Sequence, residues 1–549
     1  MWLMGFFLSL LLVFEGLGLK FGHEISYFLI IISPFFILLF GKITGKEKNF
    51  RIPTVIATLY AVFIFFLVVS TALSINIAQS APGLLIYPSL FFVSVIAYNY
   101  RNETKAWIFN FLIVASLLLM ATSLVGLFYP LTGFSLLYSR LNDHNNLGDF
   151  LLIPMIIGSF LVFEGKRKNT GLIILLSSVP IFLISFSRSA FTAYIAIVIT
   201  MFLVLKKKSE YFYKVVLIVF VLIGIFYFIP NVNLDSCCSV ISKYVSHRDD
   251  IISHRNSFFL SGVRAIRDYP IFGVGFGNFG AASFRYNDLH LFWSRTSHNI
   301  FLDMATELGL PAMLAFLGVV IYAIKKSRKD IVFFVFLGLL ANFQMYYSFK
   351  IYSVLFIFFI LLGLMFEDKR AANYNLNLDP NRLIGIFLTP IIIIQFAFVS
   401  RALINIGKYE AALVFDPSNK KLYQKIINKS INKGEYKNAL FYSNLYGRIY
   451  YSDTEATEYL ALLDLNYGKD REALAKYRRS MMWDPYGGDL KLRLRNLFYL
   501  TERVEGEKAA HEYLKSYSDK VNSMWEHRIT SFKQMVLEVN NEVNPPLLK

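Results

Sequence analysis

Cysteine is nearly missing from these 549 residues, and charge is scarce. The two cysteines, Cys237 and Cys238, are adjacent, which excludes a disulfide framework and a zinc site. They read as two small apolar fillers or as a vicinal disulfide. Charged residues make up only 17% of the chain against 56% hydrophobic, and the mean hydropathy of +0.49 excludes an ordinary soluble domain. Of the two signs acid is the rarer, with 38 Asp and Glu against 55 Lys and Arg. That excess would suit nucleic acid, but its placement along the chain argues for a membrane instead. The opening "MWLMGFFLSLLLVFEGLGL" lacks the positive n-region and small-residue cleavage site of a secretory signal, so a retained first helix is expected.

What is present is apolar length. Runs of about 20 residues, enough to cross the hydrocarbon, fall near 3–19, 24–41, 53–75, 83–98, 106–129, 147–163, 170–186, 189–205, 214–230, 300–323, 331–347, 351–366 and 383–400. The expected fold is all-α: a polytopic helical membrane protein of about 12 to 13 spans with a tetratricopeptide-like helical domain at its carboxy terminus. Alternate connections carry the positive charge. One set ("GKITGKEKNFR", "YRNETK", "EGKRKN", "KKKSEYFYK", "IKKSRKD", "FEDKRAANYNLNLDPNR") holds 20 Lys and Arg, while the short segments of the other hold Lys20, Arg140, Arg188 and Lys350. Cytoplasmic loops accumulate Lys and Arg, so the first set is expected inside. The 67-residue segment Asn231–Ser297 and everything after the last span are then outside, beyond the reach of nucleotide sugars.

Three units are expected: a transmembrane domain over 1–401, an outer loop over 231–297 within it, and a helical domain over 402–549. In the last, Gly434 with Ala439 and Gly468 with Ala473 recur at 34 residues, the tetratricopeptide period, with Gly407, Ala411 and Pro417 and then Gly506, Ala509 and Tyr513 as irregular flanking copies. Such arrays bind a peptide or protein, so this domain reads as a platform for a partner or acceptor.

Charge where a membrane disfavours it marks candidate chemistry. Arg188 lies between two apolar runs, flanked by Ser185, Ser187 and Ser189; it either snorkels to headgroups or forks onto a lipid phosphate. "HRNSFFLSGVRAIRDYP" reads as an amphipathic helix with Phe258, Val263 and Ile266 among its apolar residues and Arg255, Arg264 and Arg267 among its polar ones, ending before Pro270. The following "GVGFGNFG" only superficially resembles a phosphate-binding fingerprint, and a sharply bent backbone explains its glycines better. His298 and Asn299 open the tenth apolar run. His298 suits either a capping or interfacial role or a base, and Asn299 suits orienting that imidazole, bonding a sugar hydroxyl, or capping. Glu307, nine residues beyond His298, is about half a turn out of phase and ~13 Å along the axis, so it is assigned to packing or a buried hydrogen bond.

In this order, Ser187-Arg188-Ser189-Ala190, Arg255 with "IRDYPIFGVGFGNF", and "SHNIFLDMATELGLPAMLAFL" resemble the landmarks of the O-antigen ligase and polymerase superfamily, over roughly residues 130 to 365. "SRLNDHNNLGDFLLIP", with Asn145 and Asn146, resembles its Asn-rich span entry. The superfamily includes lipopolysaccharide O-antigen ligases, O-antigen polymerases and bacterial protein O-oligosaccharyltransferases.

The resemblance implies a glycosyltransferase at the outer face of the bacterial inner membrane, with its carboxy-terminal domain periplasmic. It would take a glycan from undecaprenyl pyrophosphate without metal, cofactor or nucleotide sugar. Arg188 and Arg255 would grip the pyrophosphate and His298 would serve the acceptor hydroxyl as base; Asn299 is counted with the substrate-binding residues on its own chemistry, as a group that could bond a sugar hydroxyl. The acceptor stays open among lipid A core, a second lipid-linked glycan and a protein hydroxyl, and the repeats leave room for a protein partner. Outside this class, a transporter or flippase would need charges at mid-span and internal repeats of the membrane portion, which the runs lack. An assembly scaffold would leave His298 expendable.

Overall fold

A computed structural model of the chain describes residues 2–16, 22–43, 50–128, 144–165, 167–185, 187–205, 251–286, 294–366, 373–376, 399–451, 453–483 and 490–522. The adjacent cysteines Cys237 and Cys238 and the expected span 214–230 lie outside these residues, as does nearly all of 383–400.

The amino-terminal part is helical: α1 (Trp2–Gly16), α2 (Gly22–Ile43), α3 (Thr54–Ala72), α4 (Ile77–Ser80), α5 (Gly83–Asn99), α6 (Arg101–Phe128), α7 (His144–Glu164), α8 (Lys168–Ile184) and α9 (Arg188–Leu205). Then follow α10 (Ile251–Asp268), α11 (Phe279–Tyr286), α12 (Ile300–Leu308), α13 (Leu310–Lys326), α14 (Ile331–Asn342), a 3-10 turn at Tyr347–Lys350, and α15 (Tyr352–Met365). Pro34, Pro88, Pro154 and Pro180 lie inside helices, where neighbouring helices can satisfy the backbone groups that proline frees.

The protein is a multi-pass membrane protein. Among the described residues four stretches are long and apolar enough to cross a bilayer: Thr54–Ala72, Ile77–Asn99, Asn145–Glu164 and Arg188–Leu205. Five shorter apolar helices accompany them, including Ile331–Asn342 and Tyr352–Met365. The expected continuous run over 300–323 is instead two helices, because Gly309 at φ 90° and ψ 164° breaks the chain between α12 and α13. The run over 331–347 likewise stops being α-helical at Asn342.

α15 sits at the centre. It is apolar on every side and buried from Ser353 to Met365, the mark of a helix enclosed by others. It packs on α5, and α3 packs on α13, while α7 is covered by α8, α9 and α14.

Segments with the same position in the charge alternation meet one another. β1 (Phe50–Pro53) pairs antiparallel with β2 (Asn373–Leu376), with Phe50 opposite Leu376, and Lys105 forms an ion pair with Asp330. All four segments come from the basic set. At the other ends of the helices, the segment around Ser74 meets the glycine-rich stretch 273–280.

Among the described residues after 405, seven helices follow: α16 (Tyr409–Phe415), α17 (Lys420–Asn432), α18 (Tyr436–Ile449), α19 (Thr454–Asn466), α20 (Asp470–Trp483), α21 (Leu490–Glu505) and α22 (Glu507–Asn522). Each packs on the next. Gly434 and Gly468 take φ of 74° and 71° in the turns before α18 and α20, the left-handed conformation that glycine adopts without cost. Ala439 and Ala473 are fully buried five residues later. In the flanking copies the buried residues are Ala412 and Ala510 rather than the expected Ala411 and Ala509.

Candidate active site

The site grows from the start of α12. Asn299 caps this helix: its Oδ1 accepts from the Phe301 and Leu302 N–H groups at 3.0 Å each, and its Nδ2 donates to Gln344 Oε1 at 3.0 Å. The amide of Asn299 is thus committed to helix initiation and to the residues just after α14. Of the three roles the sequence left open for it, capping is the one the contacts display.

His298 precedes the cap with φ 63°, the one non-glycine residue of positive φ among those described. The conformation costs about 1–2 kcal/mol for a residue with a Cβ, and its neighbours hold it there. The His298 N–H donates to Thr296 Oγ1 at 3.1 Å, and the Thr296 hydroxyl donates to Asp303 Oδ2 at 2.7 Å. Asp303 Oδ1 accepts from both the N–H and the hydroxyl of Ser297, each at 2.6 Å. The imidazole is half-buried among aromatic rings, lying near-parallel to Phe258 at 5.8 Å and against Tyr347 at 5.4 Å and Tyr346 at 5.9 Å.

Phe258 belongs to α10, one turn after Arg255, so the helix carrying that arginine is pinned to His298. The buried face of α10 is Phe258, Ser261, Gly262 and Ala265, with Gly262 against Leu302 of α12. Val263, grouped with Phe258 in the sequence reading, faces outward beside Phe259 and Leu260. The helix ends at Asp268, as Pro270 foretold.

Arg188 is the first residue of α9. Ser185, Ser187 and Ser189 around it are buried, and a Cβ on Gly148 of α7 would lie 2.4 Å from Ser187 Cβ. The landmarks at Asn145–Asn146 and Ser187–Ser189 therefore adjoin through glycine. α9 in turn packs on α14, whose carboxy-terminal end continues into Gln344 and Tyr346. Arg188 thus belongs to a helix that packs on α14, and Arg255 shares α10 with Phe258, whose ring meets His298.

The first amides of the glycine-rich segment are engaged within the protein. Val274 N and Gly275 N donate to the Thr306 and Glu307 carbonyls at 2.9 and 2.8 Å, and Gly273 N donates to Tyr269 O at 3.1 Å. Gly273, Gly275 and Gly277 take φ of 64°, 98° and 74°. A Cβ on Gly273 would lie 2.4 Å from the Glu307 carbonyl, and one on Gly275 would lie 2.0 Å from Ser74 Oγ. The glycines allow a bent backbone to close on the end of α12, as expected.

Glu307 makes the buried hydrogen bond that was one of its two expected roles, but its partner Lys350 and the ion cluster they form with Asp303 were missed by the sequence reading. Lys350 Nζ lies 3.1 Å from Glu307 Oε1 and 3.5 Å from Asp303 Oδ2, and both carboxylates are buried. The signal available was the spacing of Asp303 and Glu307, one turn apart on one helix face. Lys350 itself was counted only among the four Lys and Arg of the sparser set of connections.

α11 links this region to the carboxy-terminal helices. Trp483 at the end of α20 is buried against Ile75, Ala265, Val274 and Ala282, and the Arg285 guanidinium lies 4.8 Å from its ring. Arg264 donates to the Tyr286 carbonyl at 2.9 Å, and the Tyr286 hydroxyl donates to Asp268 at 2.6 Å, which holds the Asp268 carboxyl below its ordinary range.

Residues 172–317 match the family model described as O-antigen ligase. The match supports membership of the O-antigen ligase superfamily. The matched segment runs from α8 into α13 and contains Arg188, Arg255, His298 and Asn299. That family and the apolar helices point to a glycosyltransferase-like membrane enzyme with glycan substrates. No curated protein matches the chain.

Proposed function

We propose that the chain moves a glycan from undecaprenyl pyrophosphate to an acceptor hydroxyl at the outer face of the bacterial inner membrane. The observation that carries this is the tethering of His298, held in a strained backbone at the head of α12, to the helix that bears Arg255. In the reaction the acceptor oxygen attacks the anomeric carbon and its proton passes to the His298 imidazole. The bond from that carbon to the pyrophosphate oxygen breaks, and the leaving group keeps the electron pair. Arg188 and Arg255 neutralise its growing negative charge, so the departure needs no metal. Direct displacement with a single base inverts the anomeric centre.

The side of the membrane follows from charge. The contacts of β1 with β2 and of Lys105 with Asp330 join basic segments to one another, while His298, Lys350 and Trp483 belong to the opposite set. The basic set is taken as cytoplasmic, which makes the site and the carboxy-terminal helices periplasmic. Those helices, with glycine turns and buried alanines recurring at 34 residues, are read as a tetratricopeptide-like platform that presents the acceptor.

The test is His298→Ala in a strain lacking the gene. Membrane insertion is expected to be normal and glycan transfer abolished, and normal transfer would reject the role. The deletion phenotype identifies the acceptor. Loss of polymer from lipid A core marks a ligase, arrest at one repeat unit marks a polymerase, and loss of glycan from a protein marks a protein transferase.

A further inference from the structure

We infer that Asp303 is a positioning residue for His298: its carboxylate sets the left-handed turn that aims the imidazole. The inference rests on His298 serving as the base. Asp303 is buried in the first turn of α12 yet spends its oxygens outside the helix, on the Thr296 hydroxyl and on the N–H and hydroxyl of Ser297. Because the Thr296 proton is committed to Asp303, a lone pair of the same oxygen is left to receive the His298 N–H. The carboxylate thereby acts on the His298 backbone through one hydroxyl.

The ring is tied to the same cluster from the other side. Lys350, the counter-ion 3.5 Å from Asp303, closes the 3-10 turn that contains Tyr347, whose ring packs on the imidazole. A left-handed histidine relaxes once such ties are cut. A base displaced by about 1 Å loses on the order of 100-fold in rate without losing substrate binding.

The test uses Asp303→Asn and Thr296→Val in the full-length protein, purified in detergent, with His298→Ala measured in parallel. Membranes from a strain lacking the gene supply acceptor, and undecaprenyl-pyrophosphate-linked glycan extracted from that strain is titrated as donor. Both variants are expected to lower kcat by on the order of 10- to 100-fold and to leave the donor KM within about twofold, since neither touches the arginines. If Asp303→Asn does not yield folded protein, Thr296→Val, which removes only the bridging hydroxyl, decides alone. Unchanged kcat in the folded variants beside an inactive His298→Ala overturns the positioning role and spares the base. A rise in KM with kcat retained also overturns it. Wild-type transfer by His298→Ala removes the base reading and this inference with it.

Discussion

At the scale of the residue, His298 carries a conflict that a protein of this kind keeps only when held from several sides. A Cβ-bearing residue at φ 63° is strained, and glycine at the same place is not. His298→Ala keeps the strain while losing the ring, whereas His298→Gly loses both. We expect the two to be equally inactive but His298→Gly to be the more stable by about 1 kcal/mol, read as a higher thermal midpoint in detergent. Equal midpoints would mean that the turn is not strained. Much at this scale was legible in the sequence: Asn before a run of apolar residues with Asp303 in the first turn is a helix start, and Asn299 caps α12 accordingly. Lys350 was not legible, because its partners lie 43 and 47 residues upstream and only the fold brings them within reach.

At the scale of the element, the informative departure is the break between α12 and α13. Apolar residues continue on both sides of Gly309, so hydropathy alone reads one span. The punctuation was nonetheless present, since glycine followed by Pro311 ends one helix and starts another. What hydropathy does not show is the reason for the break. The chain at Gly309 meets Ile271, where a Cβ would come within 2.0 Å of the carbonyl oxygen, and its φ and ψ of 90° and 164° suit glycine almost alone. Gly165 gives the contrast, with φ 80° and open space around its Cβ position. Gly309→Ala is expected to cost at least about 2 kcal/mol and to weaken transfer by moving the 271–280 segment off α12. Gly165→Ala costs about 1 kcal/mol, from the backbone alone. Comparable midpoints and comparable transfer for the two variants would show that the close approach at Ile271 contributes nothing.

At the scale of the molecule, the grouping of the basic connections was more readable than the joint between the membrane part and the carboxy-terminal helices. Alternation of Lys and Arg put these connections in one set, and members of that set meet one another, β1 with β2 and Lys105 with Asp330. Nothing local to Trp483 marks it as a contact, because a tryptophan at the end of an amphipathic helix reads equally well as core. Its pocket is assembled from three separate parts of the chain, at Ile75, at Ala265 to Val274, and at Ala282. Ala265 lies on the same face of α10 as Phe258, so the ring of Trp483 and the ring of His298 bear on one helix. The carboxy-terminal helices therefore steady the helix that carries Arg255. Trp483→Ala removes a buried side chain typically worth about 3–5 kcal/mol, and that loss falls on the joint. Hydrogen exchange on the full-length protein should show faster exchange in 274–286 and in the second half of α10, with α7 and α15 unchanged. Transfer should weaken even where the acceptor is supplied in excess, because the donor side of the site is what loosens. Loss confined to α20 and α21, with 274–286 still protected, would mean that the domain only rests on the membrane part and does not brace it.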